Sequence, residues 1–181
     1  MSKAIFAAIP IKPFGVAKAR LAGRLDASQR SRLGKAIAAR TAEAATDAGA
    51  LVAVVTADAG VSHWARSHGY LTVDEGPSHG RGLNWAAEVA VSEAARRQRS
   101  WAIIHADLPL VTPAALGAVF AAAENGPVYV PAYNGGTNVI AGNGVAATFS
   151  YGVGSFHRHL AMRPHGKVIN RVDLALDLDT E

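Results

Sequence analysis

The stretch from Trp101 to Leu110 constrains the fold most strongly, because an apolar run ends there on a single carboxylate and a proline. Residues 101–105 have the length and composition of a strand buried on both faces, as in the middle of a parallel sheet. Asp107 follows this strand, at the sheet edge where open α/β sheets bind ligands. Taken alone, the stretch is equally consistent with Asp107 binding a ligand and with Asp107 only forming the turn after the strand.

Composition indicates an ordinary globular protein. The chain has 181 residues, of which 50% are hydrophobic and 18% are charged, so we expect one domain over residues 1–181. The absence of cysteine excludes a disulfide framework, a thiolate nucleophile and cysteine-ligated metal sites, and it fits a reducing compartment. No apolar run reaches the length of a signal peptide core or a membrane span, so we expect a cytoplasmic protein without a membrane partner.

Charge is distributed unevenly along the chain. Residues 1–40 carry nine Lys or Arg side chains and one Asp, whereas residues 173–181 carry four carboxylates and no basic residue. The basic segment lacks the interleaved aromatic residues and the modules of nucleic-acid-binding proteins, so we expect no nucleic-acid partner. A basic loop facing a carboxylate cluster instead suits a polyphosphate with divalent cations.

Strand and helix patterns alternate throughout the sequence. Strands are predicted near residues 4–9, 51–56, 70–73, 101–105, 128–131, 139–141 and 167–172. Helices are predicted near residues 26–48, 61–68, 84–98, 112–124 and 155–166. This alternation predicts an α/β fold, a three-layer α/β/α sandwich on a mainly parallel, Rossmann-like sheet.

Three cations, Lys12, Lys18 and Arg20, lie in a loop with two prolines and a glycine after the first predicted strand. The carboxyl ends of parallel strands share one edge, so this loop is expected beside Asp107. Cations on a rigid loop suit a triphosphate, and Arg adds a planar fork of donors for phosphate oxygens. A solvated basic turn is the alternative, although a lysine between two prolines favours a functional role.

Carboxylates near the C-terminus form a second pattern. Asp177 and Asp179 alternate along a segment that, if extended, projects both to the same face. With Asp107 they make an adequate set of ligands for Mg²⁺, which prefers carboxylate and phosphate oxygens. An alternating Asp pair by itself is frequent in acidic tails, so the prediction depends on Asp107.

Glycines mark two further loops, at residues 135–138 and 152–155. Such loops can bind an anion through backbone N–H groups and a helix N-terminus, but an ordinary glycine turn with Ser155 as N-cap is the favoured interpretation of the glycines alone. Residues 80–84 are equally consistent with a hinge and helix start or with a loop that touches a base or ribose. The histidines show no metal-binding pattern, and we expect His105 to face the interior of the sheet.

The motifs together resemble a known family. They are, in chain order, Ile9–Lys12, Ala17–Leu21, Gly82–Asn84, Ala106–Pro109, Gly136–Asn138, Gly152 with Ser155, and Asp177–Thr180. This combination resembles the CofC/FbiD family, guanylyltransferases of deazaflavin coenzyme F-420 biosynthesis that are similar in fold to the molybdopterin guanylyltransferases. The resemblance implies a nucleotidyltransferase fold that uses GTP and Mg²⁺ and joins GMP to a small phosphorylated acid.

The resemblance also implies roles for individual residues. The implied metal ligands are Asp107, Asp177 and Asp179. The implied pocket for the acceptor's phosphate is formed by Thr137, Gly152 and Ser155. The implied nucleotide-binding residues are Lys12, Lys18, Arg20, Gly82 and Asn84. Catalysis is assigned to Lys18, Arg20 and Asp107.

Several alternatives remain open at this point. The acceptor could be 2-phospho-L-lactate, phosphoenolpyruvate or 3-phospho-D-glycerate, and a downstream transferase is the implied recipient of the labile product. Molybdopterin or a sugar phosphate is an alternative acceptor, although the loop after the first strand lacks the glycine-rich signature of the molybdopterin branch. A non-catalytic GTP-binding regulator is a second alternative. The oligomeric state, a homodimer included, is open. The chain stops at Glu181, where relatives run on, and if that tail packs against the metal loop in relatives, Asp179 is expected to be less fixed here.

Overall fold

The computed structural model describes residues 4–15, 19–77, 80–144 and 147–178. These residues form a sheet of seven strands: Phe6–Pro10 (β1), Leu51–Val55 (β2), Leu71–Val73 (β3), Trp101–Ile104 (β4), Val128–Pro131 (β5), Thr137–Gly142 (β6) and Lys167–Val168 (β7). The helices are Ala27–Asp47 (α1), Ala59–Ser67 (α2), Leu83–Arg96 (α3), Pro113–Ala123 (α4), Ser155–Met162 (α5) and Val172–Ala175 (α6). A short 3-10 helix, Ala19–Gly23, precedes α1 and was not expected from the sequence.

The sheet is mainly parallel, as predicted. Its strand order is β3-β2-β1-β4-β6-β5-β7, and β6 alone runs against its neighbours β4 and β5. The expectation of a fully parallel environment around β4 is therefore wrong on one side. The reason is the short connection over residues 132–136, which can join β5 to an antiparallel neighbour but is too short for a parallel crossover.

Side chains alternate between two covered faces of the sheet, which confirms the predicted three layers. Ile9 and Ile104 belong to the core packed against α1, α2, α4 and α6. Phe6 and Ile103 belong to the core packed against α3 and α5. Because both faces are covered, the strand ends and the loops that follow them are where polar side chains can gather.

The helix signals near the chain start and after β4 are confirmed. Asp26 and Gln29 form a reciprocal capping box at α1, with both hydrogen bonds at 2.8 Å. The Thr112 hydroxyl caps α4 by accepting the Ala115 N–H at 3.2 Å, with proline as the first helical residue.

The predictions near the C-terminus need correction. The strand expected over residues 167–172 ends at Val168, and Val172 begins a helix instead. Two side-chain contacts favour the helix: Arg171 pairs with Asp173 at 2.9 Å, and Thr112 donates a hydrogen bond to Asp173 at 2.9 Å. The preceding helix, α5, ends at Met162 rather than near residue 166.

Among the described residues, no helix combines the length and apolar character needed to cross a lipid bilayer.

Candidate active site

A cleft of about 360 Å³ opens at the carboxyl ends of β1 and β4. Lys12 lines it after β1, Asp107 lines it after β4, and Gly82 lines it at the start of α3. Glu75 adds a carboxylate whose pKa is raised by burial, with Lys12 acting in the opposite direction. The volume lies in the range of small-molecule sites, and apolar walls with a few polar groups are typical of them.

Asp107 and Asp177 lie on chain segments that touch. The backbone N–H of Leu178 donates to the carbonyl of Asp107 at 3.0 Å. The carboxylate of Asp177 accepts a hydrogen bond from the Asn134 amide at 3.3 Å. The segment after α6 therefore lies beside the end of β4, so residues 70 positions apart in the chain share one edge of the sheet.

Two of the three predicted Mg²⁺ ligands carry donor atoms of the kind that this ion prefers. Asp107 and Asp177 are both half-buried and offer only oxygen atoms, which are the ligands that this ion prefers. Asp179, the third predicted ligand, lies outside the described residues. Within the described ranges no three His, Cys, Asp or Glu side chains are grouped closely enough to hold a metal.

A buried hydroxyl cluster lies at the same edge. Because β6 runs antiparallel, its first residue, Thr137, starts where β4 ends, and the His105 N–H donates to the Asn138 carbonyl at 2.9 Å. The Thr137 hydroxyl lies 3.1 Å from the Ser155 hydroxyl and 3.0 Å from Nδ1 of His159. All three side chains of the cluster are only 1% exposed.

The loop over residues 150–154 covers this cluster and is held by Arg158. The guanidinium donates to the Ser150 carbonyl and hydroxyl and to the Val153 carbonyl. The N-cap of α5 is Gly154, so the expectation of Ser155 as N-cap is wrong by one residue. The N–H of Ser155 donates to the carbonyl of Gly152 at 3.0 Å, which makes the loop a glycine turn.

Two buried polar atoms beside the cleft have no hydrogen-bond partner in the described part of the chain: Oη of Tyr151 and Nε2 of His105. The two rings lie 5.7 Å apart. The expectation that His105 faces the sheet interior is wrong, since it lies just beyond β4, is half-buried and lines the cleft. Buried polar groups are normally paired, so these atoms mark a place where a bound molecule can supply the partners.

The other predicted nucleotide residues are placed as follows. Lys12 is exposed at the rim of the cleft, and Gly82 is the N-cap of α3 with a φ of 51°. Asn84 turns its Oδ1 towards the 150–154 loop and accepts the Tyr151 N–H at 2.7 Å. Lys18 and the side chain of Arg20 lie outside the described residues.

Comparison with known proteins identifies the family. Residues 5–180 match the family described as "Guanylyl transferase CofC like". The chain belongs to this family. A phosphoenolpyruvate guanylyltransferase of Streptomyces coelicolor is 34% identical over 95% of this chain and 84% of its own. A 2-phospho-L-lactate guanylyltransferase of Methanothermobacter thermautotrophicus is 31% identical over 96% and 79% of the two chains.

The fold likeness extends beyond the CofC-like family. A candidate nucleotide-diphospho-sugar transferase from Desulfovibrio desulfuricans superposes with a TM-score of 0.79 at 14% identity, covering 99% of this chain and 84% of that one. At this identity the likeness shows the fold alone. It confirms the nucleotidyltransferase-like architecture predicted from the sequence.

Gly152 of this CofC-like chain has a backbone conformation that strongly favours glycine. Its φ is 127°, and a Cβ there would lie 3.3 Å from Nη2 of Arg158. We expect Gly152→Ala to cost about 1–3 kcal/mol of unfolding free energy and to raise the KM for the acceptor, because the loop must shift off Arg158. Urea unfolding and steady-state kinetics measure the two effects.

Gly144→Ala is the matched control for this variant. Gly144 also has a positive φ, 84°, but a Cβ there would meet no atom of the described residues within 4 Å. It should lose stability without a change in the KM for the acceptor. An unchanged acceptor KM in Gly152→Ala would contradict the placement of the acceptor at this loop.

Tyr151→Phe separates binding from stability. Burial raises the pKa of Tyr151, so its hydroxyl remains a donor, yet no described residue accepts from it. Removing an unpaired buried hydroxyl should leave the unfolding free energy unchanged or slightly higher. The same change should raise the KM for either GTP or the acceptor about fivefold or more, because a hydrogen bond to the bound molecule is lost. Tyr70→Phe, at a half-buried tyrosine next to β3, is the control and should alter neither KM. Equal KM values for Tyr151→Phe and wild type would refute the prediction.

His159 should weaken the fold as the pH falls below 7. Burial lowers its pKa to about 4 from 6.5, with the charges of Arg158 and His105 adding to the effect. Between these values the unfolded chain takes up a proton that the folded chain does not. The free energy of unfolding therefore falls by up to about 1.4 kcal/mol per pH unit from this residue. The stability difference between wild type and His159→Gln should shrink from pH 7 to pH 5, whereas a constant difference would contradict the prediction.

Sequence reasoning missed His105, Tyr151 and His159 as site residues. For His159 a signal existed, since it lies four positions after Ser155 and hence on the same face of α5. For His105 and Tyr151 no local signal existed, because their proximity depends on how the 150–154 loop packs against β4.

Proposed function

We propose that this protein transfers GMP from GTP to a small phosphorylated carboxylic acid, releasing pyrophosphate, in the biosynthesis of coenzyme F-420. The observation that carries the proposal is the meeting of two groups at one sheet edge. The Asp107 and Asp177 segments lie beside a cleft sized for a small molecule, and the Thr137 and Ser155 hydroxyls lie next to them along β6. Relatives named for phosphoenolpyruvate and 2-phospho-L-lactate support this class of acceptor.

The reaction needs positioning more than proton transfer. A phosphate oxygen of the acceptor attacks the α-phosphorus of GTP, a new P–O–P bond forms, and the bond to the β-phosphate breaks as pyrophosphate leaves. The attacking oxygen is already anionic, so no strong general base is required. Lys12, Lys18 and Arg20 would stabilise charge on the triphosphate and the departing pyrophosphate.

The carboxylates Asp107, Asp177 and Asp179 would hold Mg²⁺. When bound, this ion would neutralise negative charge on the reacting phosphates. The protein's own contribution is to hold the carboxylates on two segments joined through the Leu178 and Asp107 backbone.

The substrates divide between two regions. The nucleotide would occupy the cleft between Lys12 and Gly82, and the acceptor's phosphate would lie at Thr137, Gly152 and Ser155. Asn84 connects the regions, because it lies in the first turn of α3, next to Gly82, and its side chain accepts a hydrogen bond from Tyr151 in the acceptor loop.

The wider setting follows from the product. A mixed anhydride of GMP and an acidic phosphate is labile, so a downstream transferase would take it up. We place the reaction in the cytoplasm and expect it to depend on Mg²⁺.

Pyrophosphate release tests the proposal. Purified protein is incubated with GTP and Mg²⁺ and with each acid in turn: 2-phospho-L-lactate, phosphoenolpyruvate or 3-phospho-D-glycerate. Release should require one of the acids and should stop when the divalent cation is chelated. GTP binding without release in any mixture would instead favour another acceptor or a non-catalytic GTP-binding protein.

A further inference from the structure

We propose that His159 is a positioning residue that fixes the direction of a chain of hydroxyl protons, so that Ser155 presents its O–H to the acceptor's phosphate. The inference deepens the proposed function and rests on it for the identity of the ligand. His159 itself touches no substrate in this arrangement. It acts through Thr137 and Ser155.

The tautomer of His159 follows from one backbone donor. The N–H of Ser150 donates to Nε2 of His159 at 2.8 Å. A backbone N–H can only donate, so Nε2 must carry a lone pair rather than a proton. The hydrogen-bond geometry therefore assigns the neutral ring with its proton on Nδ1.

The direction of the next bond follows from that tautomer, and it leaves the Thr137 proton available for the bond after it. Nδ1 donates its proton to the Thr137 hydroxyl at 3.0 Å, so Thr137 is an acceptor there. The Ser155 oxygen, 3.1 Å away, is the other described hydrogen-bond partner of the Thr137 hydroxyl, so in the proposed chain Thr137 donates its own proton to Ser155. Hydrogen bonds linked in this way polarise one another, which makes the last hydroxyl a better donor.

Ser155 ends the chain with a proton to give. Its side chain is almost completely buried, and within the described residues its oxygen has only the Thr137 hydroxyl as hydrogen-bond partner. A buried hydroxyl that is left with a donor and no acceptor calls for an anion or another acceptor beside it. The phosphate of the acceptor is the anion that the proposed function brings to this edge.

The surroundings of His159 keep the ring neutral and fixed. The Tyr129 ring lies parallel to it within 5°, and the Tyr151 ring meets it edge-on at 4.9 Å between centroids. Besides these two tyrosines, the charged or titratable groups facing it are Arg158 on its own helix and His105 after β4, and both disfavour a positive charge on the ring. The protonated ring would also place two donors, Nε2–H and the Ser150 N–H, against each other.

The tautomer of His159 can be measured by NMR without an assay of enzyme activity. Long-range ¹H–¹⁵N NMR correlations of histidine-labelled protein at pH 7 should show a protonated Nδ1 and an unprotonated Nε2 for the ring that disappears in His159→Gln. A ring protonated on Nε2, or on both nitrogens, would overturn the inference and leave the proposed function intact.

A pair of variants tests the consequence for the acceptor. His159→Asn keeps an amide N–H near the position of Nδ1 and so can still donate to Thr137. His159→Gln keeps an oxygen near the position of Nε2 and so can still accept from Ser150. The glutamine variant should raise the KM for the acceptor roughly tenfold or more, the asparagine variant should stay within about threefold, and neither should alter the KM for GTP.

A larger increase in the acceptor KM for His159→Asn than for His159→Gln, or equal increases for both, would overturn the inference. A histidine with a purely structural role predicts that glutamine, which can still accept from Ser150, preserves the wild-type KM. His157→Asn and His157→Gln, on the exposed side of α5, serve as controls and should match wild type. Wild-type protein that releases no pyrophosphate with any of the three acids would overturn the proposed function and, with it, the ligand assigned to Ser155.

Discussion

Asp107→Asn should lower the rate of pyrophosphate release by roughly a thousandfold or more and leave the fold intact. The amide has nearly the shape of the carboxylate but lacks the charge that would hold Mg²⁺ beside the phosphates. The Asp107 backbone, whose carbonyl accepts from Leu178, is unaffected by the change. Initial rates at saturating GTP, acceptor and Mg²⁺ measure the effect, and circular dichroism and urea unfolding verify the fold.

Asp47→Asn is the matched control for this variant. Asp47 is exposed at the last residue of α1, at the opposite edge of the sheet from the strand ends that form the cleft. It should retain the wild-type rate. Near-normal turnover in Asp107→Asn would contradict the assignment of Asp107 as a metal ligand.

Leu174→Ala should destabilise the protein by about 2–5 kcal/mol and also reduce activity. Leu174 is 0% exposed, and its carbonyl accepts the buried Asn138 amide at 2.9 Å. A cavity at this point loosens α6, which determines where Asp177 lies. Urea unfolding gives the free energy, and rates measured over a range of Mg²⁺ concentrations should show a higher requirement for the ion.

Leu110→Ala provides the comparison, because Leu110 is 44% exposed and its truncation opens no cavity. Its unfolding free energy should change by less than about 0.5 kcal/mol. If Leu174→Ala lost stability but kept the wild-type requirement for Mg²⁺, the link from α6 to the carboxylates would be wrong.

The positions of the backbone around the site could be predicted because they depend on local signals. Asp107 follows a short apolar run, and the end of such a run in an α/β protein lies at the binding edge. Lys12 follows the first strand for the same reason. The capping residues Asp26 and Thr112 fixed two helix starts through hydrogen bonds to residues three positions away.

The rest of the site depends on contacts between distant parts of the chain, which no local pattern encodes. Asn84 and Tyr151 meet across 67 positions, and Thr112 and Asp173 across 61. The second of these contacts is one of two that favour α6 where the sequence pattern predicted a strand. His159 became a candidate only because the antiparallel β6 places the Thr137 hydroxyl within hydrogen-bond distance of its ring.

The roles of individual residues are of a different kind, because the positions of side chains do not by themselves identify a substrate. Thr137, Gly152 and Ser155 came from the resemblance to the CofC family rather than from their spacing. Their gathering at one edge agrees with those roles, and the variants described above test them.

Phosphorus NMR of the complete reaction tests the central claim most directly. Protein, GTP and Mg²⁺ are mixed with each of the three acids, and the spectrum is followed over time. Guanylyl transfer predicts pyrophosphate together with two new coupled signals from a diphosphate bridge, in equal amounts and with one acid at least. Spectra in which GTP persists with every acid, or yields only GDP and phosphate, would contradict the account.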